Sequence, residues 1–351
     1  MARPPWWRPD RYAARRANLV TRAGITRALR EWFHREGFTE VETPALQLSP
    51  GIEPHLAAFA TELRAPGGRG ATMRLHTSPE FAMKKLLVAG ETRIFQLARV
   101  FRNEERSATH HPEFTMLEWY RAGADYGALM DDCAAILRAV AAAAGVERLA
   151  CAGAACDPCA APERLTVAEA FRRHAGIDLL ATAPDPLAPS PDLLAREAAK
   201  LAIAPRAGDR WDDLFFRIFL ERIEPKLGVD RPTLLHDYPV SMAALARAKP
   251  GDPRVAERVE LYVAGIELAN GFSELTDAAE QRRRFVADTE LKRALTGEAW
   301  PIDEDFLAAL AHGLPECAGM ALGFDRLVML ACGASDIEQV LWAPVTPPEP
   351  S

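Results

Sequence analysis

The segment from Thr92 to Arg121 constrains the fold most. Two runs, Thr92–Arg102 and Phe114–Arg121, flank a polar loop, Asn103–Glu113. In the first run Ile94, Gln96, Ala98, Val100 and Arg102 recur at every second position. An extended chain sends neighbouring side chains to opposite faces, so each run predicts a strand. The loop between them is too long for a two-residue turn, so the pair predicts a long antiparallel hairpin.

Helical spacing surrounds this hairpin. Leu19, Ile25, Leu29, Trp32 and Phe33 predict a helix over Tyr12–Phe38, with Gly37 at its end. A short strand is expected over Phe38–Thr43, before Pro44, and Pro66–Gly70 reads as a turn. Thr77-Ser78-Pro79-Glu80 introduces a short helix, Phe81–Val88, that Gly90 closes. Further helices are expected at Tyr126–Ala144, Val167–His174 and Trp211–Ile223, and one strand at Glu260–Glu274. A glycine turn then leads into a helix over Leu322–Cys332. Cys151–Pro162 and Ala181–Pro191 read as loops in a peripheral insertion at about 145–210. This order predicts an α+β fold, an antiparallel β-sheet flanked by helices, and not the βαβ alternation of a dinucleotide-binding fold. The glycine-rich phosphate loops G-x-G-x-x-G and G-x-x-x-x-G-K-[ST] are absent.

Composition narrows the function. With 42 Lys and Arg against 49 Asp and Glu the formal charge is −7, which argues against broad nucleic-acid or membrane-surface binding. Hydrophobic residues, at 49%, suffice for a packed core. No apolar run approaches the roughly 20 residues of a membrane span, and no secretory signal is evident, so a cytoplasmic protein is expected. Six Cys are too sparse for a disulfide scaffold, and the cluster Cys151, Cys156 and Cys159 is read as incidental, not as a zinc site.

Three stretches carry chemistry. Arg102 ends an apolar strand, where a guanidinium can hold a phosphate or simply pair with a neighbouring carboxylate. Glu267 and Glu274 lie seven positions apart and fall on opposite faces of a flat strand. A bulge at Asn270-Gly271 would bring them to one side; without it, one is an exposed Glu and the other a turn residue. Gly323 permits close approach of a ligand, and Asp325 capping the last helix would place Arg326 in its first turn as an anion site; the alternative is a surface Arg.

Together these stretches resemble the signature motifs of the class II aminoacyl-tRNA synthetases. Phe38–Pro44 resembles motif 1, Arg102–Tyr120 motif 2 and Gly319–Leu330 motif 3. His111-Pro112-Glu113-Phe114-Thr115 and Gly271-Phe272-Ser273-Glu274-Leu275 resemble the lysyl branch. The expected division is an N-terminal tail at 1–14, one synthetase-like catalytic domain at 15–343 and a C-terminal tail at 344–351. The motif 1 helix begins too early to leave room for an anticodon-binding domain. The chain therefore resembles the free-standing lysyl-tRNA synthetase paralogues that modify elongation factor P. Ser78 and Ala321 stand where lysyl-tRNA synthetases usually have Ala and Gly. His111 stands where the family has Asn.

The resemblance implies ATP and Mg²⁺ as cofactors, adenylation of (R)-β-lysine or lysine, and transfer to the ε-amine of a lysine on elongation factor P. It implies a homodimer, no anticodon recognition of tRNA, no membrane and no nucleophile from the chain. Arg102 would hold the α-phosphate and the reacting carboxylate, and Arg326 the outer phosphates with His110. Glu104 would meet the adenine, and Phe114 would stack under it with Arg326 above. Asn103, His111, Leu268 and Gly323 would complete the ATP site. Glu267 and Glu274 would hold Mg²⁺. Glu80, Tyr120 and Glu274 would meet the substrate's amino groups, in a pocket shaped by Ser78, Pro79 and Ala321. Two other readings are open: a truncated lysyl-tRNA synthetase that charges tRNA, and a non-catalytic lysine-binding paralogue.

Overall fold

The computed structural model describes residues 5–51 and 53–346. Helix α1 (Pro9–Arg35) leads to two short strands, β1 (Thr39–Glu40) and β2 (Leu46–Gln47), and a hairpin, β3 (Ala60–Arg64) and β4 (Gly70–Leu75). The segment expected as a strand over Phe38–Thr43 is reduced to β1, and the Pro66–Gly70 turn joins β3 to β4. Then come α2 (Glu80–Val88), the long hairpin β5 (Arg93–Phe101) and β6 (Glu113–Ala122), and α3 (Tyr126–Ala144).

The 145–210 region holds more structure than expected. Beside the expected helix, α4 (Val167–Ala175), it contains a small hairpin, β7 (Leu149–Cys151) and β8 (Ala154–Cys156), a strand that joins the main sheet, β9 (Glu163–Thr166), and a second helix, α5 (Pro191–Lys200). Thr166 and Glu169 form a reciprocal capping box on α4. Helix α6 (Trp211–Ile218) ends in a π-helical turn, Phe219–Ile223. The expected single strand at Glu260–Glu274 is two. After β10 (Thr233–Pro239) and β11 (Ala248–Lys249), β12 (Asp252–Val263) turns at Ala264-Gly265 into β13 (Ile266–Ser273). Both turn residues have positive φ, 52° and 74°. Helices α7 (Ala278–Thr296) and α8 (Glu304–Gly313), strand β14 (Cys317–Gly323) and helix α9 (Phe324–Cys332) complete the chain. Most of the Pro-rich tail at 344–351 lies outside the described residues.

Nine strands form the main sheet in the order β1-β5-β6-β14-β13-β12-β10-β9, with β11 beside β12. It is antiparallel except at the β1–β5 and β10–β9 pairs, which are parallel. Strand alternation sorts the sheet's two faces. Leu117 and Trp119 of β6, Ala318, Met320 and Leu322 of β14, and Val259, Leu261 and Val263 of β12 point into the principal core, against Phe33 of α1, Leu137 of α3 and Val328 of α9. The residues between them, Glu118 and Tyr120, Gly319 and Ala321, Arg258, Glu260 and Tyr262, point the other way, into a cavity of about 520 Å³.

Candidate active site

Register decides which side chains meet on the cavity floor. Tyr120 lies opposite Gly319, Gly319 opposite Phe272, and Phe272 opposite Arg258. In the next row Glu118 lies opposite Ala321, Ala321 opposite Asn270, and Asn270 opposite Glu260. Leu261 pairs with Ala269 but Tyr262 pairs with Glu267, so Leu268 is the extra residue of a bulge. That bulge returns Glu267 to the face of Asn270, Phe272 and Glu274. The reorientation expected at Asn270-Gly271 thus happens two positions earlier. Glycine is required at Gly319 on steric grounds, because an added Cβ would collide with the Tyr120 ring and come 2.7 Å from Glu274 Oε1. Gly323, singled out from the sequence, has ordinary space and φ −69°.

Arg102, Arg326, Glu267 and Glu274 all line this one cavity, with Ser78, Glu80, His110, His111, Phe114, Tyr120, Leu268, Ala321 and Gly323. Asn103 and Glu104 do not line it. Both are exposed, with Glu104 at φ 65° in the turn after β5, and Glu105 faces the cavity instead. Pro79 borders a separate small recess.

One end of the cavity is cationic. Arg102 follows β5, where its backbone N–H donates to Pro112 O at 3.0 Å. Its guanidinium lies 5.3 Å over the Phe114 ring, and its buried Nε has no hydrogen-bond acceptor. Arg102 thus covers one face of the ring expected to stack under an adenine. An unpaired buried donor is costly, and an anion would satisfy it. Arg326, in the first turn of α9, donates from Nη1 to Glu267 O at 3.1 Å and from Nε to Thr109 O at 3.2 Å. Its Nη2 lies 2.5 Å from His110 Nε2. Burial and the charges of Arg326 and Arg102 push the His110 pKa down to about 4, so a neutral ring accepts from Arg326.

Asp325 does not cap α9; Gly323 holds that position without a side-chain cap. Asp325 is buried, paired with Arg22 of α1, and accepts the Thr115 N–H at 2.6 Å. It thereby ties α9 to β6 and α1. His111 is also committed to structure. Its Nδ1 lies 2.6 Å from Glu113 O, and its Nε2 accepts the Val345 N–H at 3.2 Å. The ring expected to donate to ATP uses both nitrogens within the chain.

The other end is acidic. Glu118, fully buried, accepts from Ser78 Oγ at 2.5 Å and from Tyr120 OH at 3.1 Å. Burial, with the charge of Glu80, raises its pKa to about 8, against those hydrogen bonds. Burial also raises Glu274, with Lys84 opposing and Glu80 reinforcing the shift. Neither Glu274 oxygen accepts a well-directed hydrogen bond, although Lys84 is ion-paired to it. Glu267, at the far end of β13, is raised by burial and by Glu260, and lowered by Arg326. Glu267 and Glu274 thus share a face but keep different neighbours.

Sequence reasoning missed Glu118, Lys84, Arg258 and Glu260. Glu118 could have been found, since it shares the parity of Phe114 and Tyr120 on one strand. Glu260 could not, because its place depends on the β12–β13 register. Among the described residues no group of three or more His, Cys, Asp or Glu is arranged to hold a metal, and no helix is long and apolar enough to cross a membrane.

A family described as tRNA synthetases class II (D, K and N) matches residues 7–347. Proteins named elongation factor P–(R)-β-lysine ligase are similar over nearly their whole length. The one from Pectobacterium carotovorum subsp. carotovorum (strain PC1) is 44% identical, over 95% of this chain and 96% of its own. That from Vibrio cholerae serotype O1 is 45% identical, over 92% and 94%. That from Proteus mirabilis (strain HI4320) is 42% identical, over 97% of each.

Proposed function

The chain belongs to the class II tRNA synthetases (D, K and N), and from that premise we propose that it is an ATP-dependent ligase that adenylates (R)-β-lysine or lysine and passes it to a lysine of elongation factor P. One observation carries the reading: a single cavity holds two arginines, one with an unsatisfied buried donor, at one end and buried carboxylates at the other. That polarity suits a phosphate-activated carboxylate whose remote groups are ammonium ions.

In the first step a carboxylate oxygen attacks the α-phosphorus of ATP, and the bond to pyrophosphate breaks. Arg102 holds the α-phosphate and the carboxylate through its free Nε and spreads the charge developing between them. Arg326 and neutral His110 steady the outer phosphates, while Phe114 offers an aromatic face to the adenine. Asn103 and Glu104 would join the site only with a shift of the turn after β5. Ser78, Glu80, Glu118, Tyr120 and Glu274 would line the amine pocket, with Ala321 beside Glu118 on its floor. Glu267, beside Arg326, would be the carboxylate that holds Mg²⁺, an ion bound by one or two carboxylates plus substrate phosphates that would neutralise phosphate charge when bound; Glu274 lies at the opposite end of β13, ion-paired to Lys84, and serves the amine pocket instead. In the second step an acceptor amine attacks the acyl carbon, AMP leaves with the bonding pair, and the amine's proton passes to solvent. The same reading makes the protein cytoplasmic and a homodimer, and light scattering tests the oligomeric state.

The deciding experiment is ATP–pyrophosphate exchange with (R)-β-lysine and with L-lysine, followed by transfer of the labelled amino acid to elongation factor P or to tRNA. Exchange with transfer to elongation factor P is expected. Efficient tRNA charging would identify a synthetase instead, and a lack of exchange a binding protein.

A further inference from the structure

Lys84 has no part in the scheme above, yet it is a buried cation set among the carboxylates of the amine end. Its side chain is 2% exposed. Its Nζ lies 2.5 Å from Glu80 Oε1, one helical turn back on α2, and is ion-paired to Glu274 beyond β13. The Phe272 and Phe306 ring centroids lie 5.2 and 5.9 Å away. Glu118 and Tyr120 of β6 and Cys317 of β14 face the same cluster. Burial alone would strip the ammonium of its proton, but Glu274 and Glu80 reverse that and hold it charged.

We propose that Lys84 is a resident ammonium that orients Glu80 and Glu274 and sets how many cationic groups the pocket accepts from a substrate. Three carboxylates, Glu80, Glu118 and Glu274, face one internal cation; Glu118 is protonated in the free protein, and once bound ammonium groups draw that proton off, two negative charges remain to be balanced. An amino acid with two ammonium groups balances them; one with a single amine leaves a buried charge unpaired, which is strongly unfavourable. Lys84 touches no substrate in this account. It acts as a positioning residue by holding two carboxylates that the substrate must otherwise hold apart.

The inference rests on the ligase reading for its substrate, so the test separates the two. L-lysine binding is measured by calorimetry without ATP, and KM and kcat by pyrophosphate exchange. Lys84→Met keeps the length and loses the charge. It should weaken L-lysine binding and raise its KM at least about tenfold, with kcat within about threefold. Lys84→Arg should fall between Met and wild type. In Lys84→Ala, added n-propylammonium should restore affinity and 1-propanol should not. Unchanged affinity in Lys84→Met, or equal rescue by the alcohol, overturns the proposal. A wild-type protein that binds lysine but catalyses no exchange would refute the ligase reading and leave the binding comparison intact.

Discussion

Replacing Glu118 with Gln should do two separable things. The carboxyl is fully buried, and its pKa is raised from 4.5 to about 8 by burial and by Glu80. The folded protein therefore keeps a proton that the unfolded chain releases. Its stabilising effect is complete below about pH 4.5 and is lost as pH rises toward 8. One such group lowers stability by about 1.4 kcal/mol per pH unit across that window, or about 4–5 kcal/mol in all. Glu118→Gln removes this slope while keeping an acceptor for Ser78 or Tyr120. Urea unfolding of the free protein at pH 5.5, 7 and 8.5 should show the variant gaining on wild type with each step up in pH. The same substitution should raise the KM for lysine by about tenfold or more, since it deletes an ammonium partner. If wild type and variant lose stability in parallel from pH 5.5 to 8.5, Glu118 is not the buried acid described here.

Three further outcomes are expected. Asp325→Ala strands Arg22 and the Thr115 N–H in the core and should cost about 3–5 kcal/mol; the double variant Arg22→Met, Asp325→Leu should recover much of it in urea melts. Gly319→Ala drives a methyl into the Tyr120 ring and toward Glu274. It should cost about 1–3 kcal/mol and raise the KM for the amino acid more than that for ATP. His110, with its pKa held at about 4, should put no inflection in the exchange rate between pH 6 and 7.5, so His110→Gln and wild type should trace parallel profiles there.

Elements whose burial follows a local period were legible in the chain. Tyr126–Ala144 forms a helix with the expected bounds, and the Thr92–Arg121 hairpin is in place. Helix α7 went unread because its outward faces are charged almost all round, with only Gln281, Phe285 and Lys292 buried. The hairpin of β12 and β13 reads as one strand at Glu260–Glu274 because only Ala264 and Gly265 join the two, and neither Asn nor Pro marks the turn.

What the sequence determined by itself is the chemical inventory: two arginines, two glutamates and the motif residues around them, at spacings that resemble one family. Only tertiary structure decided what each group faces. Arg326 meets His110 across 216 positions of chain, and Asp325 meets Arg22 across 303. A bulge at Leu268, not at Asn270-Gly271, turns Glu267 inward. Strand register, a sum of many weak contacts over the whole sheet, seats Glu118 and Glu260 in one row. Period along a strand is a local property and can be read locally; the pairing of distant strands is set by the packing of the entire core and cannot.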